Sequence, residues 1–377
     1  MFLKWFYCAL CCGPLRKDML KIGSREPTAL ERRQGRVQRQ RKAMRDGQLL
    51  IEDSFYIKER SYDPELLAER WQWLENIVCF GWGRDISGSR GSFLESLVVC
   101  RPPTHPTKYI TAPERHFGTV IYLKCYKGNS VLRPVVFPFH QWCCEILARV
   151  LKLKVGKETD LDKNILYAVF CDIAQRTRLD LNYGPISGPK SSWNCIAGEE
   201  FSVTNPFRIP GLGRMLLSKL CSFELDSSVT ALELQQKNGT ESFAKLCYDI
   251  LHQILMYLPA SSILALRKIS RSFFLATLHN SFWRKFISEF MPWLWEWKHL
   301  LPKCDQSVVD FKRFFLWLDR ELSVLYGLQG PLRVLANRRR IWHACEQVCD
   351  LYLQKASLLA STGQQASRPV NYGILLN

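Results

Sequence analysis

What this sequence does not contain narrows it first. No apolar run reaches the roughly 18 residues that a bilayer crossing needs, and the apolar stretch "MFLKWFYCAL" offers no small-residue cleavage site. Neither membrane spanning nor secretion is expected. No unit recurs at a period of about 20 to 50 residues, which excludes a solenoid or propeller built into this chain. The Gly81, Trp82, Gly83 step lacks a third spaced glycine and a following Gly-Lys-Ser/Thr, so it makes no phosphate loop. Acidic residues are scarce too: 35 Asp and Glu stand against 52 Lys and Arg, a formal net charge of +17.

That imbalance is partly local. Residues 1–60 hold 14 basic and 7 acidic residues, and "RRQGRVQRQRKAMR", from Arg32 to Arg45, has seven basic residues and no acid. Such a run reads as a solvated helix or arm, with a nuclear address or polyanion contact as the alternative. Arg338, Arg339 and Arg340 precede "IWHACEQVCDLYL" and read as the wet face of an amphipathic helix. Cysteine, by contrast, is plentiful. Fifteen are scattered through 377 residues and one must stay unpaired, which favours a reducing compartment, cytoplasmic or nuclear. The Asn238, Gly239, Thr240 glycosylation pattern would go unused there.

Hydrophobic residues at 47% and aromatics at 12% are ample for a packed core. "YDPELLAERWQWLENIV" reads as a helix capped by Asp63, with Pro64 at its first position and Leu67, Trp71, Leu74 and Val78 on one face. "FGWGRDISGSRGSF" reads as a loop. "HFGTVIYLKCY" and "SVLRPVVFPF" read as strands joined by a Lys127, Gly128, Asn129 turn. Helices follow at "QWCCEILARVLKL" and "DKNILYAVFCDIAQRT", then a loop at "NYGPISGPKSS" and a short strand at "EEFSVTNPF". Further helices are expected at "SVVDFKRFFLWLDRELSVL" and "RRRIWHACEQVCDLYLQK".

The fold class is therefore α+β, mainly helical. Six stretches are expected: a Cys-containing basic segment 1–60, an α+β domain 61–225, a linker 226–243, a helical block 244–288, a C-terminal helical region 289–356 and a loose tail 357–377.

The block at 246–287, "LCYDILHQILMYLPASSILALRKISRSFFLATLHNSFWRKFI", carries no chemistry. Leu246, Ile250, Ile254 and Leu258 step by four beside Leu251 and Leu255, a stripe wider than one neighbour requires. Pro259 stops that helix, and a second runs through Ile263, Leu264 and Leu266. Ser270 is placed to cap a third through Phe273, Phe274 and Leu278. Helices this short leave apolar surface for another domain or another protein.

These residues resemble the F-box. Its pattern is carried here by Leu246, by Leu258 and Pro259, by Leu266, Arg267, Ser270 and Arg271, and by Phe282, Trp283 and Arg284. Cys247 stands where the family has its opening proline, a change expected to weaken the first turn modestly. A wider likeness, in the Cys-x-x-Cys start, "FPFHQWCCEIL", "GEEFSVTNP" and "FWRKFISEF", is to a group of fungal F-box proteins. The resemblance implies a non-enzymatic adaptor that docks on the Skp-type subunit of a Skp/cullin/F-box ubiquitin ligase and presents a client protein. Docking anchors would be Leu246, Ile250, Leu251, Ile254, Leu258, Pro259, Ile263 and Leu266, with Trp283 bracing the third helix. The rival readings are a basic nuclear or nucleic-acid-binding protein, not favoured, and an F-box scaffold acting outside the ligase.

Cys8 with Cys11, and His140 with Cys143, repeat the spacing that lets two side chains meet one zinc ion. Together they would complete a structural site in the N-terminal α+β region. Cys12 and Cys144 compete as ligands, and buried unpaired cysteines are the preferred account of the same residues. A cysteine hydrolase pairing Cys143, Cys144 or Cys195 with His116 or His140 has no spacing to recommend it. Glu199 and Glu200, adjacent in sequence, would point apart in a strand. Trp293, Trp295 and Trp297 alternate, as for one face of an extended run, and read as core or, if exposed beside Lys298 and His299, as a client contact.

Overall fold

A computed structural model describes residues 6–48, 60–67, 71–84, 90–98, 109–113, 120–126, 135–156, 161–190, 192–223, 242–277, 279–303 and 309–362. Its strands are β1 (Ile77–Arg84), β2 (Arg90–Val98), β3 (Tyr109–Pro113), β4 (Val120–Lys124) and β5 (Phe137–His140). Its α-helices begin with α1 (Pro27–Arg45), α2 (Pro64–Leu67), α3 (Gln141–Val155), α4 (Lys163–Asp172) and α5 (Leu212–Cys221). They continue with α6 (Tyr248–Met256), α7 (Ala260–Ile269), α8 (Arg271–Ala276), α9 (Asn280–Phe290), α10 (Trp297–Leu300), α11 (Phe311–Ser323) and α12 (Gly330–Thr362). The class is α+β and mainly helical. Contacts divide the chain into two units, one of residues 1–209 with 324–377, the other of residues 210–323.

In the first unit β1 is the middle strand of an antiparallel sheet ordered β2-β1-β5, and β3 pairs with β4 separately. Phe80, Phe137, Phe139, Tyr167 and Phe170 pack edge-on and tilted between that sheet and α4. Asp162 caps α4 by accepting from the Asn164 and Ile165 amides, which fixes where the helix enters. Ile146, Leu147, Val150 and Leu151 give α3 its buried stripe, laid against α12. From Arg333 to Arg338 every residue of α12 is buried, so its first turns run through the interior.

Three buried arginines there correct the wet-face reading. Arg338 donates to the Pro206 and Phe207 carbonyls at 2.8 and 2.9 Å. Arg340 donates to the Cys11 and Tyr183 carbonyls and to Asn337 Oδ1, and Arg333 is buried beside them. A guanidinium's fork of donors can meet several fixed carbonyls at once, which allows its burial. The other basic run is α1, a helix as expected, although Arg33 and Arg41 are buried and Arg41 donates to the Val324 and Tyr326 carbonyls.

Several local readings change. The helix expected from Tyr62 to Val78 is only α2 and a 3-10 turn at Gln72–Glu75, because Ile77 and Val78 are claimed by pairing with β5. Gly81, Gly83 and Gly91, taken as loop, lie in the β1–β2 ladder. The segments around β4 and β5 are strands but do not form one hairpin: β4 joins β3, β5 joins β1, and Cys125 meets Val136 in a parallel bridge. "EEFSVTNPF" is a 3-10 helix at Glu200–Val203, since the Ser202 and Thr204 hydroxyls bond carbonyls three residues back. α12 continues to Thr362, past the expected loosening at Ser357, and belongs to the first unit. The Lys127 turn, the Asn238 triplet, His116 and residues 363–377 lie outside the described residues.

The regular elements of the second unit, among its described residues, are all helices. Phe282, Trp283, Phe286 and Phe315 form its aromatic centre where α9 packs on α11, and Trp297 stacks on Phe314 at 5.6 Å. Trp293 and Trp297 are buried, in turns and at the start of α10, so they close this core and offer no client surface.

Candidate functional site

The helical block at 246–287 folds as α6, α7, α8 and most of α9. α6 starts after Cys247, which supplies no side-chain cap, and it stops where Pro259 removes an amide and itself caps α7. Leu246 and Leu258 therefore flank α6 and do not belong to its stripe. Ser270 caps α8 through its hydroxyl, 3.3 Å from the Phe273 amide. Arg267 reaches from α7 to the Thr277 carbonyl at 2.9 Å, and Trp283 Nε1 donates to the same carbonyl at 2.9 Å. The Leu-Arg-x-x-Ser-Arg and Phe-Trp-Arg elements thus clamp the end of α8 from two sides.

The sequence-derived anchors separate once folded. Leu251 and Ile263 are buried in the block's own core, which corrects their reading as contact residues. Leu246, Ile254, Leu258 and Leu266 are half-buried, while Ile250 and Pro259 are exposed. The most exposed large apolar residues are ones the sequence reading passed over: Tyr257 at 88% and Ile269 at 81%, with Tyr248, Phe243 and Leu275 less so. Tyr257 caps the C-terminus of α6, seven residues after Ile250 and three after Ile254, and Ile269 ends α7 three residues after Leu266, so helical spacing extends to both.

In the first unit Cys8, Cys11, His140 and Cys143 converge. All four are wholly buried, and their ligand atoms lie within 4.8 Å of one another. Cys11 Sγ is 3.2 Å and Cys143 Sγ 3.7 Å from His140 Nδ1. His140 ends β5 and caps α3, which puts Cys143 in the first turn of that helix, on the same side. Burial raises the Cys8 thiol, but hydrogen bonds from Cys11 and Cys143 and the nearby His140 outweigh it and hold Cys8 well below the ordinary range. Burial lowers the His140 imidazole, but Cys11 and Cys8 outweigh it and carry it up to about 10. The cluster could hold a metal ion.

Nothing else converges in this way among the described residues. Cys195 takes the Lys21 amide at 3.2 Å, and His116, its sequence-suggested partner, lies outside the described residues. Glu199 accepts from Ser187, whereas Glu200 accepts from the Asp63 and Gly198 amides, so the two carboxylates serve separate turns. No helix among the described residues is long and apolar enough to cross a membrane.

The family model for F-box-like domains matches residues 243–288. The matched span begins in the 3-10 helix Ser242–Lys245 and ends in α9, so it contains every element of the clamp around Thr277. No curated protein and no solved structure matches the chain.

Proposed function

This chain is an F-box domain protein, and we propose that it serves as a client-recruiting adaptor: residues 243–288 dock on the Skp-type subunit of a ubiquitin ligase while the rest of the chain captures a client. An F-box-like domain carries ligase-adaptor work in general, and such work makes no bond. The adaptor acts by concentration, holding a client lysine beside the charged conjugating enzyme so that a bimolecular encounter becomes an intramolecular one.

The observation that carries the reading is apolar surface inside the matched span. Ile250, Tyr257 and Ile269 stand exposed on helices too short to cover them, and Leu246, Ile254, Leu258 and Leu266 in the same segment are half-buried. Interfaces of this kind depend on a few aromatic and aliphatic anchors within a polar rim. The nucleic-acid reading loses ground, since Arg33, Arg41, Arg338 and Arg340 are buried and so withdrawn from the two basic runs.

The test is co-purification of the Skp-type subunit with a Tyr257→Ala/Ile269→Ala/Ile250→Ala chain, whose altered side chains are exposed and leave the core alone. Loss of about 100-fold in affinity is expected from removing such anchors. Docking should also change by less than about threefold between roughly 0.1 and 0.5 M salt, whereas phosphate contacts would weaken steeply. Undiminished binding by the triple variant would sink the docking surface, and Skp-type capture without cullin would turn the reading toward a scaffold outside the ligase.

A further inference from the structure

We propose that Cys8, Cys11, His140 and Cys143 form a closed structural zinc site that fastens the N-terminal loop to the junction of β5 and α3. The two thiol–imidazole distances are those of an ion's coordination sphere, and the remaining donors are close enough to draw in around one. A tetrahedron with Zn–S arms of about 2.3 Å and a Zn–N arm of about 2.05 Å has S···N edges of roughly 3.5 Å and S···S edges of roughly 3.8 Å. The two S···N separations, 3.2 and 3.7 Å, bracket the first value, and no pair of donors exceeds 4.8 Å.

The imidazole is oriented as a metal needs. His140 Nε2 lies 2.9 Å from the Pro14 carbonyl, which can only accept, so a ring proton sits there and Nδ1 is the nitrogen turned toward the sulfurs, where an ion would displace its proton. The loop is built to match. The Cys12 amide donates to the Cys8 carbonyl and the Cys8 amide to the Gly13 carbonyl, both at 2.9 Å, and the Gly13 amide points at Cys11 Sγ from 3.3 Å. Cys12 takes a left-handed φ of 54°, uncommon for any residue but Gly, Asn or Asp. That turn carries the chain away directly after the second ligand. The Ala9 amide donates to the Pro138 carbonyl at 2.8 Å, joining the loop to β5 before any ion is counted.

Donor type and charge select the ion. Three thiolates and one imidazole suit zinc and reject the hard cations Mg²⁺ and Ca²⁺, which take oxygen ligands. Zinc with three thiolates and a neutral imidazole carries one negative charge, and the buried Arg340 guanidinium donates to the carbonyl of Cys11, one of the ligand residues, at 2.7 Å. With four protein donors and no exposed edge the site has no open position for water, so its role is to hold the fold. Cys12 and Cys144, competing ligands by sequence alone, stand outside the converging set.

The experiment is metal analysis of the full chain, purified reduced from zinc-containing medium and dialysed against metal-free buffer. One zinc per chain is expected. A mercurial thiol reagent should release it stoichiometrically to a chromogenic chelator, and cobalt exchanged into the site should show the intense visible bands of a tetrahedral ion with sulfur-to-cobalt charge transfer. Cys143→Ala should fall below about a tenth of an equivalent, Cys144→Ala should keep the full equivalent, and His140→Cys should keep the ion with a cobalt spectrum shifted toward four sulfurs. Less than half an equivalent in folded, reduced wild-type chain would overturn the proposal, as would stoichiometric iron or copper, a Cys8–Cys11 disulfide, or cobalt bands that survive Cys143→Ala.

Discussion

Glu200 is the buried acid from which a pH dependence can be worked out. Its side chain is 2% exposed and accepts from the Asp63 amide at 3.0 Å and the Gly198 amide at 2.8 Å. Burial raises its pKa from 4.5 to about 7, against the pull of those amides. An acid whose folded pKa is raised keeps a proton that the unfolded chain has already lost. Its contribution is therefore fully present below pH 4.5 and is lost as pH rises through about 7. The shift of about 2.5 units corresponds to about 3 kcal/mol, of which about 2 kcal/mol falls between roughly pH 5.5 and 8. Glu200→Gln cannot titrate. Its amide also turns one acceptor into a donor facing a backbone N–H, a fixed cost of about 1 kcal/mol. Urea unfolding, followed by tryptophan fluorescence at several pH values for both chains, should give stability curves that converge or cross as pH rises. Curves that stay parallel from roughly pH 5.5 to 8 would refute the assigned proton.

Three further substitutions, at two positions, probe the same structure. Arg340→Met should leave the Cys11 and Tyr183 carbonyls and Asn337 Oδ1 buried without this donor, costing about 3 kcal/mol or more in urea unfolding. Arg340→Lys should recover only part of that loss, because an ammonium cannot reproduce the fork. Ser270→Ala removes the cap of α8 and should lower stability by about 1 kcal/mol, read as a small fall in melting temperature. A neutral result would mean that the clamp on Thr277, not the cap, holds that helix.

The parts legible in sequence were those written locally. Pro259 and Ser270 announce helix ends by their own chemistry, one lacking an amide and the other supplying a hydroxyl, so the F-box elements could be placed from forty residues of text. Asp162 marked the start of α4 in the same way. Spacing offered the four metal-site residues, yet their convergence depends on bringing Cys11 to His140 across 129 positions, which no periodicity encodes. Glycines in β1 and β2 read as loop because strand propensity describes side chains packing on a pleated surface, and Gly83 opposite Gly91 has none to pack. Arg338 and Arg340 read as solvent-facing because sequence shows charge but not the carbonyls that meet it. Tyr257 and Ile269 were missed because they end their helices, where a pattern search stops, although Tyr257 shares the face of Ile250 and Ile254, and Ile269 that of Leu266.

The first unit is discontinuous, with its closing helix α12 separated from the rest by the whole of 210–323. During synthesis the sheet, α3 and α4 leave the ribosome well before the helix that covers them. The F-box helices and α11, against which α9 packs, are all made before α12 and can fold in the interim. Maturation of the nascent chain is thus ordered, with the segment that would seek the ligase completed ahead of the body that carries it.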